Sequence, residues 1–514
     1  MRQKNTFILL LLVVIKVCFN YWLVDGSYNL HRDEYLHIDQ GRHLAWGFDS
    51  VPPLTSWVSW IILKLGAGVG WIRFFPGLFG ALTMVLVWRL TEKLGGNLFC
   101  CVLAAVTLLL SALLRLNVLY QPNTFDVLAW TAVYYTLTCY LQSGSNRWLY
   151  YMAIVFALGL LNKYNIGFLA IGLLPALLLG GQTKLLANKH LYGAALLCLI
   201  LLLPNIIWQI NNGLPVVHHM QELSNTQLVN VQRGDFLKDQ LLFFIGGIVV
   251  IVAALFSFIV YAPYKPYRVI GWSFLSTLLL FVYLKAKSYY ALGLYPVLLP
   301  FGAVYLQYLL TRGTRQYLRP VLLALPVLLS IPMFRIAFPT APPQVLQQKN
   351  ALYQQFGLLR WEDGKDHHLP QDFADMLGWQ ELAAKVDAAY EKIPDKAHAL
   401  VYCDNYGMAG AINYYSRYKT IAAVSMNADY VNWFPPASKD IKHLVMVKDI
   451  YDKDAGRKKE QPLFGQVILT DSLTNPFARE KGTRIYLLLN AAVPIMPYFT
   501  KEINEVKKER SFFR

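Results

Sequence analysis

The sequence predicts a polytopic α-helical membrane protein with about eleven transmembrane helices, followed by a small soluble α/β domain. Three observations carry this expectation. Of the 514 residues, 56% are hydrophobic and only 15% are charged, where an ordinary water-soluble domain has roughly 25% charged residues. Apolar runs of spanning length recur along the first two thirds of the chain. The composition then changes sharply after Phe338-Pro339-Thr340-Ala341-Pro342-Pro343, a proline-rich exit from the apolar part. Together they exclude a soluble enzyme, a disordered chain and a coiled coil.

The elements follow in order. Arg2 and Lys4 precede an apolar run from Phe7 to Val24, interrupted only by Lys16 and Asn20. No small-residue cleavage pattern follows it, so it reads as an uncleaved first span. Further runs lie at about 71–90, 98–119, 125–142, 148–161, 165–180, 191–209, 240–261, 269–284, 289–310 and 320–338. With the N-terminus in the cytoplasm, the inward turns carry Arg89 and Lys93, Arg147, Lys184 and Lys189, Lys265 and Arg268, and Arg312, Arg315 and Arg319. That is the expected basic bias of cytoplasmic loops. An odd number of spans places residues 340–514 outside, in one compartment with the long first loop at about 25–70.

Charge follows the same division. Residues 1–339 hold 24 Lys and Arg against 10 Asp and Glu, whereas residues 340–514 hold 23 against 21. The excess belongs to the membrane part, where basic loops face a lipid surface, and does not point to a nucleic-acid partner. In the last part, strand-like runs at 399–402, 444–447, 467–469 and 485–489 alternate with helical stretches such as 379–391, the pattern of a small α/β domain. The six cysteines show neither a disulfide framework nor zinc-ligand spacing.

The acids are where chemistry is expected. Five of the ten in the membrane part, Asp25, Asp33, Glu34, Asp39 and Asp49, fall in the first loop. Crowded carboxylates need a use or compensating cations, although a solvated loop capping an interfacial helix is the plainer explanation for any one of them. In His31-Arg32-Asp33-Glu34-Tyr35-Leu36-His37, helical spacing sets Asp33 four residues and Glu34 three residues before His37. Adjacent carboxylates at the mouth of a membrane cavity can deprotonate an acceptor hydroxyl or hold a divalent cation. Val51-Pro52-Pro53-Leu54 then forces a turn, and Trp57 suits an interface.

An Asp-Glu pair just after the first span, with a Pro-Pro-Leu turn in the same loop, resembles the GT-C glycosyltransferases of family 39. That family includes dolichyl-phosphate-mannose-protein mannosyltransferases, the aminoarabinose transferases of lipid A and the galacturonosyltransferases of lipopolysaccharide core. Gly159-Leu160-Leu161-Asn162-Lys163-Tyr164, Ser288-Tyr289-Tyr290-Ala291-Leu292-Gly293-Leu294-Tyr295-Pro296 and the stretch from Asp404 to Tyr415 agree with it, so the resemblance runs along the whole chain.

The resemblance implies a GT-C fold and a hexosyl or pentosyl transferase of the bacterial inner membrane. Such an enzyme moves a sugar with inversion from a polyprenyl-phosphate donor to a glycan, lipid or protein acceptor on the extracytoplasmic face. Asp33 matches the family's catalytic acidic position, with Glu34 as its partner. Whether a divalent cation binds at Asp33 and Glu34 stays open, because GT-C members differ on this point. There is one departure. In the aminoarabinose transferases Glu-Lys precedes the Pro-Pro-Leu turn and the lysine lies close to the donor phosphate. Here Ser50 and Val51 hold those positions, which argues against an aminoarabinose donor and leaves Asp49 as a shifted acid.

Other residues are expected to meet the donor phosphate. Lys163 sits in a tight outward turn, where interfacial snorkelling is the alternative. Lys285 and Lys287 with Tyr289 and Tyr290 form a basic-aromatic cluster suited to phosphate and prenyl contact, or else part of an aromatic belt. His218 and His219 lie in the outward loop 210–239, where family members place phosphate-contacting basic residues. Asp126 opens the fourth run and is either a helix-dipole partner or a second polar group facing the cavity. Gly407 and Gly410 do not match a phosphate-binding motif, so 405–415 reads as a strand-to-helix turn. Two further readings compete, a polytopic lipid or glycan transporter and a non-catalytic scaffold of the same fold. The concentration of acids in one loop and the one-sided final domain favour the enzyme.

Overall fold

The computed structural model describes residues 2–226, 228–311 and 313–512. Arg312, one of the expected inward cations, lies outside the described residues, as do the side chains of Arg2 and Lys4. Each of the eleven apolar runs is helical over most of its length. Among the described residues, four helices are long and apolar enough to cross a membrane by themselves: Asn5–Trp22, Val69–Lys93, Lys189–Asn211 and Gly313–Ile336. Two runs are bent pairs, Arg233–Phe243 with Ile245–Val260 at 65° and Ser288–Leu294 with Leu298–Leu309 at 55°. Leu98–Leu109, Arg147–Asn162 and Tyr164–Leu179 are shorter apolar helices. The runs thus become helices of uneven length rather than equal spans.

The breaks have local causes. Gly246 and Gly247 follow the first bend, and Pro296, which lacks an N–H, stands in the second. The run at 98–119 stops at Leu109, and the amide of Ala112 just beyond it donates to the carbonyl of Phe243 at 2.9 Å, where another helix stops. Two interrupted helices so satisfy each other's backbone, the condition for irregular structure at membrane depth. Lys16 and Asn20, the polar interruptions of the first run, are both buried in the bundle, and the Lys16 ammonium donates to Asn117 Oδ1.

Helices Ile248–Val260 and Leu298–Leu309 approach so closely that a Cβ at Gly302 would lie 1.9 Å from the carbonyl oxygen of Val250. Backbone cannot retreat as a side chain can. Gly302→Ala is therefore expected to cost about 1–3 kcal/mol, read as a lower midpoint of thermal unfolding in detergent; an unchanged midpoint would show that the two helices can separate freely.

The turns gather at two ends. At one, Lys93 Nζ reaches Gln142 Oε1 (3.4 Å), Asn188 reaches Asn146 (2.8 Å) and Gln182 reaches the carbonyl of Pro266 (3.0 Å), so the basic turns meet there. At the other lie the first loop and residues 340–512, stitched by backbone bonds from Asp25 to Pro339 (2.7 Å), Asn29 to Met376 (2.7 Å) and Arg32 to Asp375 (3.2 Å).

The first loop is built of two helices, Arg32–Arg42 and Leu54–Lys64. The C-terminal part carries a five-stranded mixed sheet of β1 (Ala399–Cys403), β2 (Val424–Ser425), β3 (His443–Lys448), β4 (Phe464–Ser472) and β5 (Arg484–Ala491), in the order β2-β1-β3-β5-β4. β1 runs parallel to β2 and β3, with Val401 opposite Val445, and β5 runs antiparallel to β3 and β4. Helices Trp379–Glu391 and Tyr406–Tyr415 pack together, and the second rests on helix Arg32–Arg42. β2, only two residues long, had no signal in the sequence.

Candidate active site

The site begins with a helix N-terminus. His31 caps helix Arg32–Arg42: its Nδ1 accepts from the amide of Asp33 at 3.2 Å, and its own amide donates to Glu34 Oε2 at 2.6 Å. This is a capping box with histidine in the place of serine. It leaves Asp33 in the first turn, where the helix dipole favours a negative charge.

Glu34 is fully buried, and both of its oxygens accept hydrogen bonds. Oε1 accepts from Arg73 Nη1 at 2.9 Å and from the amide of Tyr120 at 2.7 Å, while Oε2 serves the cap. Arg73 also donates to the carbonyl of Val118. The expected Asp-Glu pair is therefore divided: Glu34 fastens the loop helix to helix Val69–Lys93 and to the turn before helix Asn123–Ser143, and Asp33 faces the open side with 34% of its side chain exposed. A divalent cation does not fit the pair, because both Glu34 oxygens already accept hydrogen bonds and the guanidinium of Arg73 supplies its countercharge. Among the described residues, no three His, Cys, Asp or Glu side chains gather as metal ligands. His37 lies within electrostatic reach of both acids, while its Nδ1 sits 3.0 Å from Gln40 Oε1.

Asp33 is held from two directions. Tyr406, at the start of helix Tyr406–Tyr415, donates its hydroxyl to Oδ1 at 2.7 Å, and Gln121 donates Nε2 to Oδ2 at 3.0 Å. Burial opposes its charge, but His31, the Tyr406 hydroxyl and Arg32 together outweigh burial and hold the carboxyl below the usual range. Asp33 is thus ionised at neutral pH.

From Gln121 the hydrogen bonds continue. Asn123 Nδ2 donates to Gln121 Oε1 at 3.0 Å, and Lys163 Nζ donates to Asn123 Oδ1 at 2.7 Å. A cation and a carboxylate so stand at the two ends of one chain. Every donor in it points toward Asp33, and two of its members are amides, so it transmits orientation and not protons. The Lys163 ammonium also lies 5.0 Å and 4.5 Å from the ring centres of Tyr289 and Tyr290.

The remaining expected residues divide. Lys287 is within electrostatic reach of both Lys163 and His219, and Tyr289 of Asp33, which places 287–290 at the same end of the bundle. His218 and His219 lie half-buried on helix Pro215–Thr226. Burial pushes His219 below the usual imidazole range, with Glu222 and Asp49 acting in the opposite sense. Asp126 is buried with both oxygens occupied, by Trp130 Nε1 at 3.0 Å and Asn165 Nδ2 at 2.9 Å. Asn165 also donates to the carbonyl of Tyr290 at 3.1 Å, so Asp126 braces the tyrosine pair. Asp39 binds Asn413 (2.8 Å) and Tyr430 (2.7 Å) and ties the loop to the C-terminal part. Ser50 turns toward Asp429, with 3.4 Å between Oγ and Oδ2, and offers no cation. Gln121, Asn123 and Tyr406 were not expected as site residues, although Tyr406 lies in 405–415, which the sequence marks as a strand-to-helix turn.

Residues 50–208 match the family model described as dolichyl-phosphate-mannose-protein mannosyltransferase. That span holds Gln121, Asn123, Asp126 and Lys163 but not Asp33. The structure resembles ArnT from Cupriavidus metallidurans bound to undecaprenyl phosphate, with a TM-score of 0.62 at 12% sequence identity over 94% of this chain and 98% of that one. For the apo state of the same protein the TM-score is 0.60, with the same identity and coverage. No curated protein matches the sequence significantly. At such identity the likeness establishes the fold. The chain is an integral membrane protein of GT-C type, with many apolar helices and a C-terminal region built on a small mixed sheet.

Proposed function

We propose that this GT-C-fold protein is an inverting glycosyltransferase that moves a sugar from a polyprenyl-phosphate donor to a hydroxyl of a cell-envelope glycan, lipid or protein. The reaction is placed on the extracytoplasmic face of a bacterial inner membrane, the side assigned to the first loop and to residues 340–514. One observation carries the reading: an ionised, partly exposed carboxylate, Asp33, is joined through Gln121 and Asn123 to a cation, Lys163, beside two tyrosine rings. The bound undecaprenyl phosphate of the structurally similar ArnT supports the donor class.

Each end of the chain has a part in the reaction. Breaking the sugar–phosphate bond builds negative charge on the phosphate, which Lys163 and Lys287 stabilise, with His218, His219 and the Tyr289 hydroxyl as further hydrogen-bonding groups. On the opposite face of the anomeric carbon, Asp33 orients the acceptor hydroxyl and takes its proton as the new bond forms. A carboxylate of low basicity suits this, because the hydroxyl becomes acidic only once its oxygen has begun to bond to carbon. Glu34 and Asp126 act at one remove, by fixing Asp33 and the tyrosine pair. With Ser50 and Val51 before the Pro-Pro-Leu turn, the phosphate is held from 163 and 287, which favours a sugar other than aminoarabinose.

The test is transfer of label from radiolabelled polyprenyl-phosphate sugars in membranes containing the protein. Label in an acceptor that depends on this chain is the expected result, and none from any member of a broad donor panel overturns the reading. Lys163→Met is expected to lower kcat/KM for the donor by about tenfold to a hundredfold, the worth of one charge-assisted hydrogen bond. Unaltered donor dependence in that variant would remove Lys163 from the phosphate site.

A further inference from the structure

Resting on that reading, we propose that Tyr406 is a positioning residue for the transfer reaction, a hydroxyl through which the C-terminal domain sets the orientation of Asp33. The bond spans 373 residues of sequence and measures 2.7 Å. With Gln121 on the other oxygen, it fixes the plane of the carboxylate, whose side chain stays 34% exposed.

The position of the phenol is determined several times over. The Arg32 guanidinium lies 4.5 Å from the centre of its ring. Asn405 caps the helix by accepting from the Met408 amide at 3.1 Å and is itself anchored by Nδ2 on Glu480 Oε1 at 3.2 Å. Helix Tyr406–Tyr415 approaches helix Arg32–Arg42 closely because residue 410 is glycine: a Cβ there would lie 2.6 Å from both Tyr35 Cβ and the Tyr430 hydroxyl. Asn413 on Asp39 at 2.8 Å and Tyr415 against Tyr35 at 3.3 Å, hydroxyl to hydroxyl, continue the seam. A contact needed only for docking would not have to end on the one partly exposed carboxylate of this helix turn, since Asp39 already supplies a buried anchor.

The groups facing Asp33 are His31, Arg32 and His37 from its own helix and cap, Asp375 and Tyr406 from the C-terminal part, and Tyr289 from the 288–294 turn. Tyr406 and Gln121 both donate side-chain hydrogen bonds to the carboxylate, and of the two only Tyr406 comes from the C-terminal part. Losing the Tyr406 bond removes one of the groups that lower the Asp33 carboxyl, so the carboxyl rises. The acid limb of the rate profile then moves to higher pH.

Tyr406→Phe is the test, because the ring stays under Arg32 while the hydroxyl is gone. In membranes with the full-length protein, transfer is measured from about pH 3 to 8, a range that reaches below the usual carboxylate value, at varied donor concentration. The expected result is an acid limb shifted upward, kcat at neutral pH lowered about tenfold, and KM for the donor within twofold of wild type. An unmoved limb, or a loss confined to donor KM, overturns the proposal. A fall in the thermal unfolding midpoint without movement of the pH limb also overturns it, since that is the mark of a docking contact. The two readings separate cleanly. Activity retained by Asp33→Asn defeats the base, whereas inactivity of Asp33→Asn with an unmoved limb in Tyr406→Phe defeats only this inference.

Discussion

Asp33→Asn is expected to lower sugar transfer at least a hundredfold, in line with the contribution of a positioned general base, while leaving the protein folded. The change is isosteric, and the cap at His31 does not use the Asp33 side chain as an acceptor. It removes the charge that orients the acceptor hydroxyl, and it sets an amide N–H against one of the two donors, Tyr406 or Gln121, that now bind oxygen. A turned Gln121 would in turn present its amino group to Asn123, so the disturbance runs along the chain toward Lys163. Asp33→Glu is expected to fail as well, because one added methylene moves the oxygens off both donors. Labelled transfer with the thermal unfolding midpoint as control checks both variants, and normal transfer by Asp33→Asn would place the base elsewhere. The pH dependence follows from the direction of the shift. With the Asp33 carboxyl held below the usual range, its charge is complete from about pH 5 upward. The wild-type rate therefore shows no Asp33 limb near neutrality and declines only as pH falls through that depressed value. The same group contributes stability above its unfolded pKa and loses it on acidification.

The second large effect belongs to stability. Glu34→Gln leaves the Arg73 guanidinium charged, buried and without a counterion, which is expected to cost about 3–5 kcal/mol. Glu34 also closes the capping box and receives the amide of Tyr120, so its loss loosens helix Arg32–Arg42 together with its grip on the bundle. The expected result is poor yield, a much lower unfolding midpoint in detergent and loss of transfer. Replacing both partners, as in Glu34→Gln with Arg73→Met, is expected to recover part of the stability because no unpaired charge remains. A Glu34→Gln protein as stable as wild type would show that the pair is not the fastening between loop and membrane helices.

The two variants show why adjacency in sequence misled. Asp33 and Glu34 are neighbours and look like a pair, yet a helix turns successive side chains about 100° apart. One therefore faces Arg73 in the bundle and the other the open side. The same geometry gives Asp126 to Trp130 and Asn165. In both cases the sequence marks an acid in a first helical turn, and only its neighbours in space say which way it is used. Lys163 stands out in the sequence as a cation in a short turn between two apolar runs, but its bond to Asn123 belongs to the tertiary structure.

Hydropathy along the chain marks many apolar helices followed by an α/β region at the C-terminal end, because apolar length and strand alternation are local properties. The uneven helices and their bends are less legible, since the break at Leu109 is stabilised by a carbonyl of Phe243 far along the chain. The arrangement around Asp33 belongs wholly to the tertiary structure. Gln121 stands 88 residues away and Tyr406 373 residues away, and uncharged amides and a phenol carry no signal of their own. Their meaning comes from directional hydrogen bonds, which form only when packing has brought donor and acceptor within about 3 Å.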